Sequence, residues 1–403
     1  MEFKLRDYQE VGSKEGLLLL RKNKILIINW ECRIGKSHTA LEIAKDYNRV
    51  LFVTKKKAIS SIESDYKKAG HSYDITIINY ESLHKVNGEF DLIICDESHS
   101  ISKFPKPSQK AKLLKTMVKN DLIIMSGTLC PESFSQIYHQ LWISKYSPFR
   151  QYINFYKFFN ALGTPEVVYT SYGMAKSYKN MPYENIAKQI EPIKLALTQQ
   201  EAGFTSSITE TIIEIKQSDL IRGLIRQLKE DKVIVGKNNV ILAETAVKMM
   251  QKIHQLSSGT VKFESGESAV LDYSKANYIR DNFKGKKLAI FYKFTAELKA
   301  IKSVIDVTQD LEEFNNTDKH IALQFVSGRE GVNLSKADYI IAYNIDFSAV
   351  TYWQFRDRMT TIDRKENIVH WLFSSGGIEY DIYKAVLDKK NYTLKTFKKT
   401  VGY

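Results

Sequence analysis

Five short apolar runs punctuate the first 130 residues: KILIIN (24–29), RVLFVT (49–54), ITIIN (75–79), DLIICD (91–96) and DLIIMS (121–126). Each is rich in β-branched residues and is separated from the next by a stretch with helical patterning. Strands this uniformly apolar need cover on both faces, which is the signature of parallel sheet, and the intervening stretches suit crossover helices. The layout is α/β. From Trp142 to Tyr183 aromatics crowd among Lys and Asn, and we expect a helical, irregular bridging segment there. A second alternating block runs through KKLAIFYKF (286–294), HIALQFVS (320–327), DYIIAYN (338–344) and IVHWLFS (368–374). The expected organisation is a parallel-sheet domain over 1–143, a bridging segment over 144–205 and a second parallel-sheet domain over 206–403. The Met- and Ile-patterned VKMMQKIHQL reads as a core helix within the last of these.

At 403 residues the chain is long enough for two real cores. Its 59 Lys and Arg against 46 Asp and Glu leave a formal charge of +13, which suits a polyanionic partner. No run approaches the ~20 apolar residues of a membrane span, so a cytoplasmic protein is expected, without a membrane partner. Cys32, Cys95 and Cys130 are far apart in sequence and lack metal-ligand spacing, which argues for reduced thiols and against a zinc site.

The sharpest local signal is Trp30-Glu31-Cys32-Arg33-Ile34-Gly35-Lys36-Ser37, between the run KILIIN and the helical HTALEIAKDY. A Gly-Lys-Ser at a strand-to-helix turn offers backbone N–H groups and a helix N-terminus to phosphate oxygens. Lys36 would reach the β and γ phosphates, and the Ser37 hydroxyl would ligate Mg²⁺. The full pattern has a small residue where Trp30 stands, and related versions usually have a glycine where Arg33 stands. Some sixty residues later Asp96-Glu97-Ser98-His99 follows directly on the run DLIIC. Two adjacent carboxylates ending a buried strand are costly unless a cation or a bound water uses them. Asp96 is placed to serve Mg²⁺ and Glu97 to orient and deprotonate the attacking water.

These motifs resemble those of superfamily 2 helicases and translocases, and within them the Swi/Snf-like ATPases and their phage relatives. Leu5-Arg6-Asp7-Tyr8-Gln9 resembles the adenine-recognition motif, with Gln9 on the base; Gly35, Lys36 and Ser37 match motif I. Asp96-Glu97-Ser98-His99 matches motif II, in which His99 would sense nucleotide, and Ser126-Gly127-Thr128 matches the coupling motif III. Ile101 to Ser108 resembles the segment that follows motif II in Swi/Snf-like enzymes. Thr54 to Lys57 falls where motif Ia contacts a DNA backbone, and Asn79-Tyr80-Glu81 is similar to motif Ib, so Lys55, Lys56, Lys57 and Tyr80 become candidate DNA contacts. In the second half, Ala289 to Phe294 is similar to motif IV and Ser327 to Leu334 to motif V, which offers Arg329 to DNA and Gly331 to nucleotide. Gln354-Phe355-Arg356-Asp357-Arg358 opens a motif VI with Gln354 near nucleotide; Thr361 occupies its second arginine position, so the γ-phosphate arginine is shared between Arg358 and Arg364.

The resemblance implies two RecA-like domains that bind and hydrolyse ATP with Mg²⁺ and step along single-stranded, forked or branched DNA as a monomeric motor. By likeness to phage branch-migration helicases it implies remodelling of forks or junctions in replication or recombination, in a host bacterial cytoplasm. Two other readings use the same residues: an RNA-dependent ATPase, and a nucleic-acid-binding relative that has lost hydrolysis. A nuclease finds no second carboxylate cluster to use. The aromatics of 142–183 could stack bases of a single strand, but the reading preferred for them is the core of the bridging segment.

Overall fold

The computed structural model describes residues 4–170, 173–204, 207–236, 239–325, 334–356 and 366–388. The chain divides into two compact units, Met1–Phe204 and Thr205–Tyr403.

In the first unit β1 (Ile25–Trp30), β2 (Arg49–Thr54), β3 (Asp74–Asn79), β4 (Leu92–Asp96) and β5 (Asp121–Met125) coincide with the five apolar runs. They assemble with a further strand, β8 (Lys194–Leu197), in the order β3-β2-β4-β5-β1-β8, every pairing parallel. β6 (Glu166–Thr170) and β7 (Gly173–Ser177) form a separate antiparallel hairpin, and β8 (Lys194–Leu197) is the strand added beside β1. Helices α1 (Asp7–Asn23), α2 (Lys36–Ile43), α3 (Ile59–Lys68) and α4 (Gln109–Met117) alternate with the strands, as parallel crossovers require. α1 reaches the sheet closely because glycines face it one turn apart. A Cβ on Gly12 would sit 2.5 Å from the Trp30 ring, and one on Gly16 would sit 3.1 Å from the Leu26 side chain, both on β1.

The segment expected to bridge two domains is folded into this first unit. α5 (Ile137–Trp142), α6 (Phe155–Leu162) and α7 (Glu184–Ile190) pack with Phe149, Phe155, Phe158 and Phe159 buried in the same core as β1, β4 and β5. Asn154 starts α6 by accepting the Lys157 N–H at 3.0 Å, and the Phe155 ring stacks on His139 and Phe104. Of the two readings of these aromatics, core packing is the one observed for the phenylalanines. β8 then brings the end of the segment alongside β1.

The second unit repeats the plan. β9 (Ser207–Ile215) is followed by two short antiparallel hairpins, β10 (Val233–Val235) with β11 (Val240–Leu242) and β12 (Thr260–Lys262) with β13 (Ser268–Val270). β14 (Leu288–Tyr292), β15 (Val307–Thr308), β16 (His320–Gln324), β17 (Tyr339–Ala342) and β18 (Glu366–Ser374) complete a parallel sheet in the order β15-β16-β14-β17-β18-β9. α8 (Asp219–Asp231) packs on α9 (Ala246–Ser257), the expected core helix, which buries Met249, Met250, Ile253 and Leu256. Its His254 lies wholly inside, bonded through Nε2 to Asn344 Oδ1 at 2.6 Å; burial, then the nearby Lys293 charge, holds its pKa well below the usual value. The α/β class with two parallel-sheet units in sequence is therefore the observed fold. Among the described residues no helix is long and apolar enough to cross a membrane.

If the aromatics of α6 are core to the first unit, Phe158→Ala should cost that unit about 3–5 kcal/mol, as large aromatic truncations do. Ile153→Ser, at a side chain 83% exposed, should be nearly neutral. Urea unfolding of the two variants checks this; similar midpoints would contradict the packing.

Candidate nucleotide site

Because all strands of the first sheet run parallel, their C-terminal ends share one edge, where α/β proteins usually bind ligands. Four of the chemistry-bearing turns start there. β1 leads into Glu31–Lys36, β2 into Lys55, β4 into Glu97 and β5 into Ser126, and only β5 separates β1 from β4.

The turn after β1 takes the form a phosphate loop needs. Gly35 has φ 84° and Arg33 has φ 65°, so Arg33 adopts the left-handed backbone expected of the glycine it replaces, a conformation that costs an L-residue roughly 1–2 kcal/mol. Trp30, the other departure, turns its ring into the core against Gly12 and Tyr8 and leaves the loop's outer side clear. α2 begins immediately after Gly35 with no side chain capping it, so its first N–H groups are offered to an anion. The Lys36 ammonium folds onto the loop and donates to the Trp30 and Glu31 carbonyls at 3.1 and 2.9 Å. Ser37 follows, half-buried, on the first turn of α2.

Gln9 lies against this loop. Its Oε1 accepts the Arg6 N–H at 2.9 Å, its Nε2 donates to the Ile34 carbonyl at 3.4 Å, and a Cβ on Gly35 would fall 1.9 Å from that Nε2. The other flank is held by residues that sequence reasoning missed. The Glu31 N–H donates to the Leu197 carbonyl, the Gln199 N–H donates to Glu31 Oε2 at 2.8 Å, and Gln199 Nε2 donates to the Cys32 carbonyl at 2.9 Å. The end of β8 thus braces the loop after β1, and nothing in the short KLAL run signals it.

At the end of β4, Asp96 is held from three directions. Thr54 Oγ1 donates to its Oδ2 at 2.7 Å, the Glu97 N–H donates to its Oδ1 at 2.9 Å, and the Tyr80 hydroxyl donates to its backbone carbonyl at 2.6 Å. Burial, and then the Glu97 charge, push the Asp96 carboxyl up to about 6, against the pull of Thr54 and Lys36. Burial would raise Glu97 as well, but the hydrogen bond from His99 and the charges of His99, Lys55 and Lys36 outweigh it and hold Glu97 below the usual carboxylate range. Lys36 is therefore near enough to feel both carboxylates, which joins the two motifs in one site. Glu97 itself sits at φ 48°, another left-handed residue at this edge.

His99 ties the carboxylates to the turn after β5. Its Nδ1 lies 3.1 Å from Glu97 Oε2 and 3.1 Å from Ser126 Oγ, while Lys55 Nζ approaches its Nε2 at 3.5 Å. The Ser126 hydroxyl also accepts the Thr128 N–H at 3.0 Å. Ser98 donates to Gln140 Oε1 at 2.7 Å, and Gln140 Nε2 donates to the Leu129 carbonyl at 2.8 Å, so α5 clamps the turns after β4 and β5 together. A Cβ on Gly127 would meet Cys32 Sγ at 2.9 Å, which brings the turn after β5 against the loop after β1.

The donor set fits Mg²⁺: one hydroxyl, Ser37, and one carboxylate, Asp96, with the remaining positions left to phosphate and water. Among the described residues no three His, Cys, Asp or Glu side chains form a metal cage.

The candidate nucleic-acid contacts separate. Lys56 and Lys57 are exposed and Lys55 is half-buried. Tyr80 is only 2% exposed, so its side chain is a support for Asp96 and not a surface for a polynucleotide. Gln354 lies on the helix Ala349–Arg356 of the second unit. Arg329, Gly331, Arg358 and Arg364 are outside the described residues.

No family profile matches the sequence, and no curated protein sequence matches it. Among solved structures, the chain is similar to the SWI2/SNF2 ATPase core of Sulfolobus solfataricus in complex with double-stranded DNA, at 17% identity and a TM-score of 0.46, covering 100% of this chain and 93% of that one. It is also similar to the SWI2/SNF2 ATPase core domain of the same organism, at 18% identity and a TM-score of 0.46, covering 96% and 89%.

Two outcomes test this geometry. Gly35→Ala places a methyl on Gln9 and demands a left-handed alanine, so Mg-ATP affinity measured by calorimetry should fall at least tenfold. Asp96→Asn should stabilise the first unit. The carboxyl's raised pKa means that its ionisation opposes folding; the penalty is absent below about pH 4, where Asp96 is protonated in both states, and complete above about pH 6. The variant's melting temperature should therefore exceed wild type by on the order of 3 °C at pH 8 and converge with it as pH falls toward 4. A variant less stable than wild type at pH 8 would contradict the account.

Proposed function

We propose that the chain is a Mg²⁺-dependent ATP hydrolase stimulated by DNA, a motor that translocates along it. The observation that carries this is the convergence of Lys36 with Asp96 and Glu97 on one sheet edge, tied through His99 and Ser126 to the turn after β5. In this reading the N–H groups of the loop 31–36 and the start of α2 bind the phosphates of ATP, and Lys36 leaves the Trp30 and Glu31 carbonyls to reach the β and γ phosphates. Mg²⁺, held by Ser37 and Asp96, would supply charge neutralisation at the phosphates when bound. Glu97 accepts the proton of the attacking water and fixes its line of approach. The resemblance assigns the γ-phosphate arginine to Arg358 or Arg364.

DNA as the track is supported by the +13 charge, by the exposed Lys56 and Lys57 at the same edge as the nucleotide, and by the order of the Swi/Snf-like motifs. Phosphate contacts make such a motor largely blind to sequence and sensitive to salt. The finer form of the reading is a monomeric enzyme of the bacterial cytoplasm that remodels forked or branched DNA in phage replication or recombination. It is supported by the resemblance of the motifs to those of phage branch-migration helicases.

Steady-state ATP hydrolysis without nucleic acid, with single-stranded DNA, with a forked or four-way junction and with RNA tests the proposal. DNA should stimulate turnover, branched DNA most, and Lys36→Ala or Glu97→Gln should lower it by roughly 100-fold or more. Stimulation by RNA alone would replace the track, and absence of turnover in the wild type would leave a binding protein in place of a motor.

A further inference from the structure

From Ser98 to Asn120 the chain carries Lys103, Lys106, Lys110, Lys112, Lys115 and Lys119 and no Asp or Glu, a charge of +6 within a chain whose net charge is +13. The helix of this span, α4, buries Ala111 and Leu114 and turns Gln109, Lys112, Lys115 and Thr116 outward, and Lys119 is exposed just beyond its end. Other helices neutralise their cations. Among the described α-helices with two or more Lys or Arg, only α4 and α9 contain no acid, and the α9 lysines Lys248 and Lys252 pair with Glu244 and Glu264 at 3.2 Å. On α4 only Lys110 meets a carboxylate, Glu81 at 2.6 Å, while Lys115 lies 3.6 Å over the Trp142 ring and donates to the Trp142 carbonyl at 3.3 Å. Among the described residues Lys103, Lys106, Lys112 and Lys119 form no ion pair. Uncompensated like charge raises the energy of a compact fold, and a bound polyanion relieves that repulsion.

We propose that the exposed lysines of α4 and of the turns on either side of it form a second DNA-binding surface, which holds a double helix by its phosphates. The inference rests on the DNA reading above and adds a contact outside the motifs. The Lys110–Glu81 pair joins the first turn of α4 to the turn after β3, and β3 is the neighbour of β2, the strand that delivers Lys56 and Lys57. The basic ridge therefore begins at the edge where those two lysines are exposed. Its occupant follows from what the surface lacks. Sites for a single strand combine cations with aromatic rings on which the bases stack. The outward side chains of α4 include no aromatic, and the Trp142 ring beside it is covered by the Lys115 ammonium. Charge without a stacking platform suits a duplex, whose phosphates face outward and whose bases are already paired.

Fluorescence anisotropy of a labelled blunt duplex, measured over a range of salt concentrations with the full-length wild type and Lys112→Gln/Lys119→Gln, tests the surface. Glutamine keeps the helix propensity of lysine and removes only the charge. The double variant should bind the duplex roughly tenfold more weakly at low salt, and the slope of log affinity against log salt should flatten by about 2, one for each lysine. Its affinity for oligothymidylate and its ATP hydrolysis without DNA should stay at the wild-type values. Lys112→Arg/Lys119→Arg, which keeps both charges, should match wild type throughout. A glutamine variant that melts with wild type and shows the wild-type duplex affinity and salt slope would overturn the surface. Equal losses on the duplex and on oligothymidylate would overturn the duplex as its occupant. A wild type that hydrolyses no ATP yet shows the expected binding would remove the motor and leave the surface standing. One that binds oligothymidylate and no duplex would overturn the surface and keep the DNA reading, and one that binds neither would sink both.

Discussion

In a parallel sheet the strands deliver their C-terminal residues to one side, and the chemistry at this edge depends on that constraint. β5 pairs with β1 through Ile28 and Met125 and with β4 through Asp96 and Met125, which places the loop after β1 and the carboxylates one strand apart. β2 pairs with β4 through Val53 and Cys95, which puts Thr54 and Lys55 beside Asp96 and His99. The apolar strand interiors make the register hard to shift, since Ile25 to Ile28 and Leu92 to Cys95 are essentially inaccessible. A rigid frame of this kind can hold a carboxyl such as Asp96 where burial opposes its ionisation. The cost is offset by hydrogen bonds from Thr54 and the Glu97 backbone, and a bound cation would remove it.

Much of this was legible in the sequence because the signals are local. Each of the five apolar runs became a strand with its ends within a residue or so, since a run apolar on both faces, followed by a helical pattern, has few other uses. The strand-turn-helix around Gly35-Lys36-Ser37 and the carboxylates closing β4 were legible for the same reason. Trp30 and Arg33, which looked like departures from the pattern, kept its backbone. The tryptophan ring found room beside Gly12, and Arg33 accepted a left-handed conformation that side chains rarely take.

What the sequence did not disclose depends on long-range pairing. β8 and β9 are the edge strands of their sheets beside β1 and β18, and neither carries the long apolar run of a strand covered on both faces. Four residues, KLAL, do not announce a strand, still less that Gln199 beyond it will brace Cys32 and Glu31. The likeness of Asn79-Tyr80-Glu81 to motif Ib makes Tyr80 a candidate DNA contact. Its burial follows from the turn Tyr80–Lys85 folding under β4, where the hydroxyl finds the Asp96 carbonyl. The aromatic segment was ambiguous for a physical reason: phenylalanine at helical spacing suits a core and a base-stacking face equally well until its neighbours are known.

The central claim is that Lys36, Ser37, Asp96 and Glu97 form a single phosphate-and-metal site. Isothermal titration of ATP into the full-length protein, with and without Mg²⁺, and into Lys36→Ala tests it most directly, because binding is read without any turnover or track. The account predicts one ATP per chain, tight binding only when Mg²⁺ is present, and loss of that binding in Lys36→Ala. Affinity that is indifferent to Mg²⁺, or undiminished when Lys36 is removed, would contradict it.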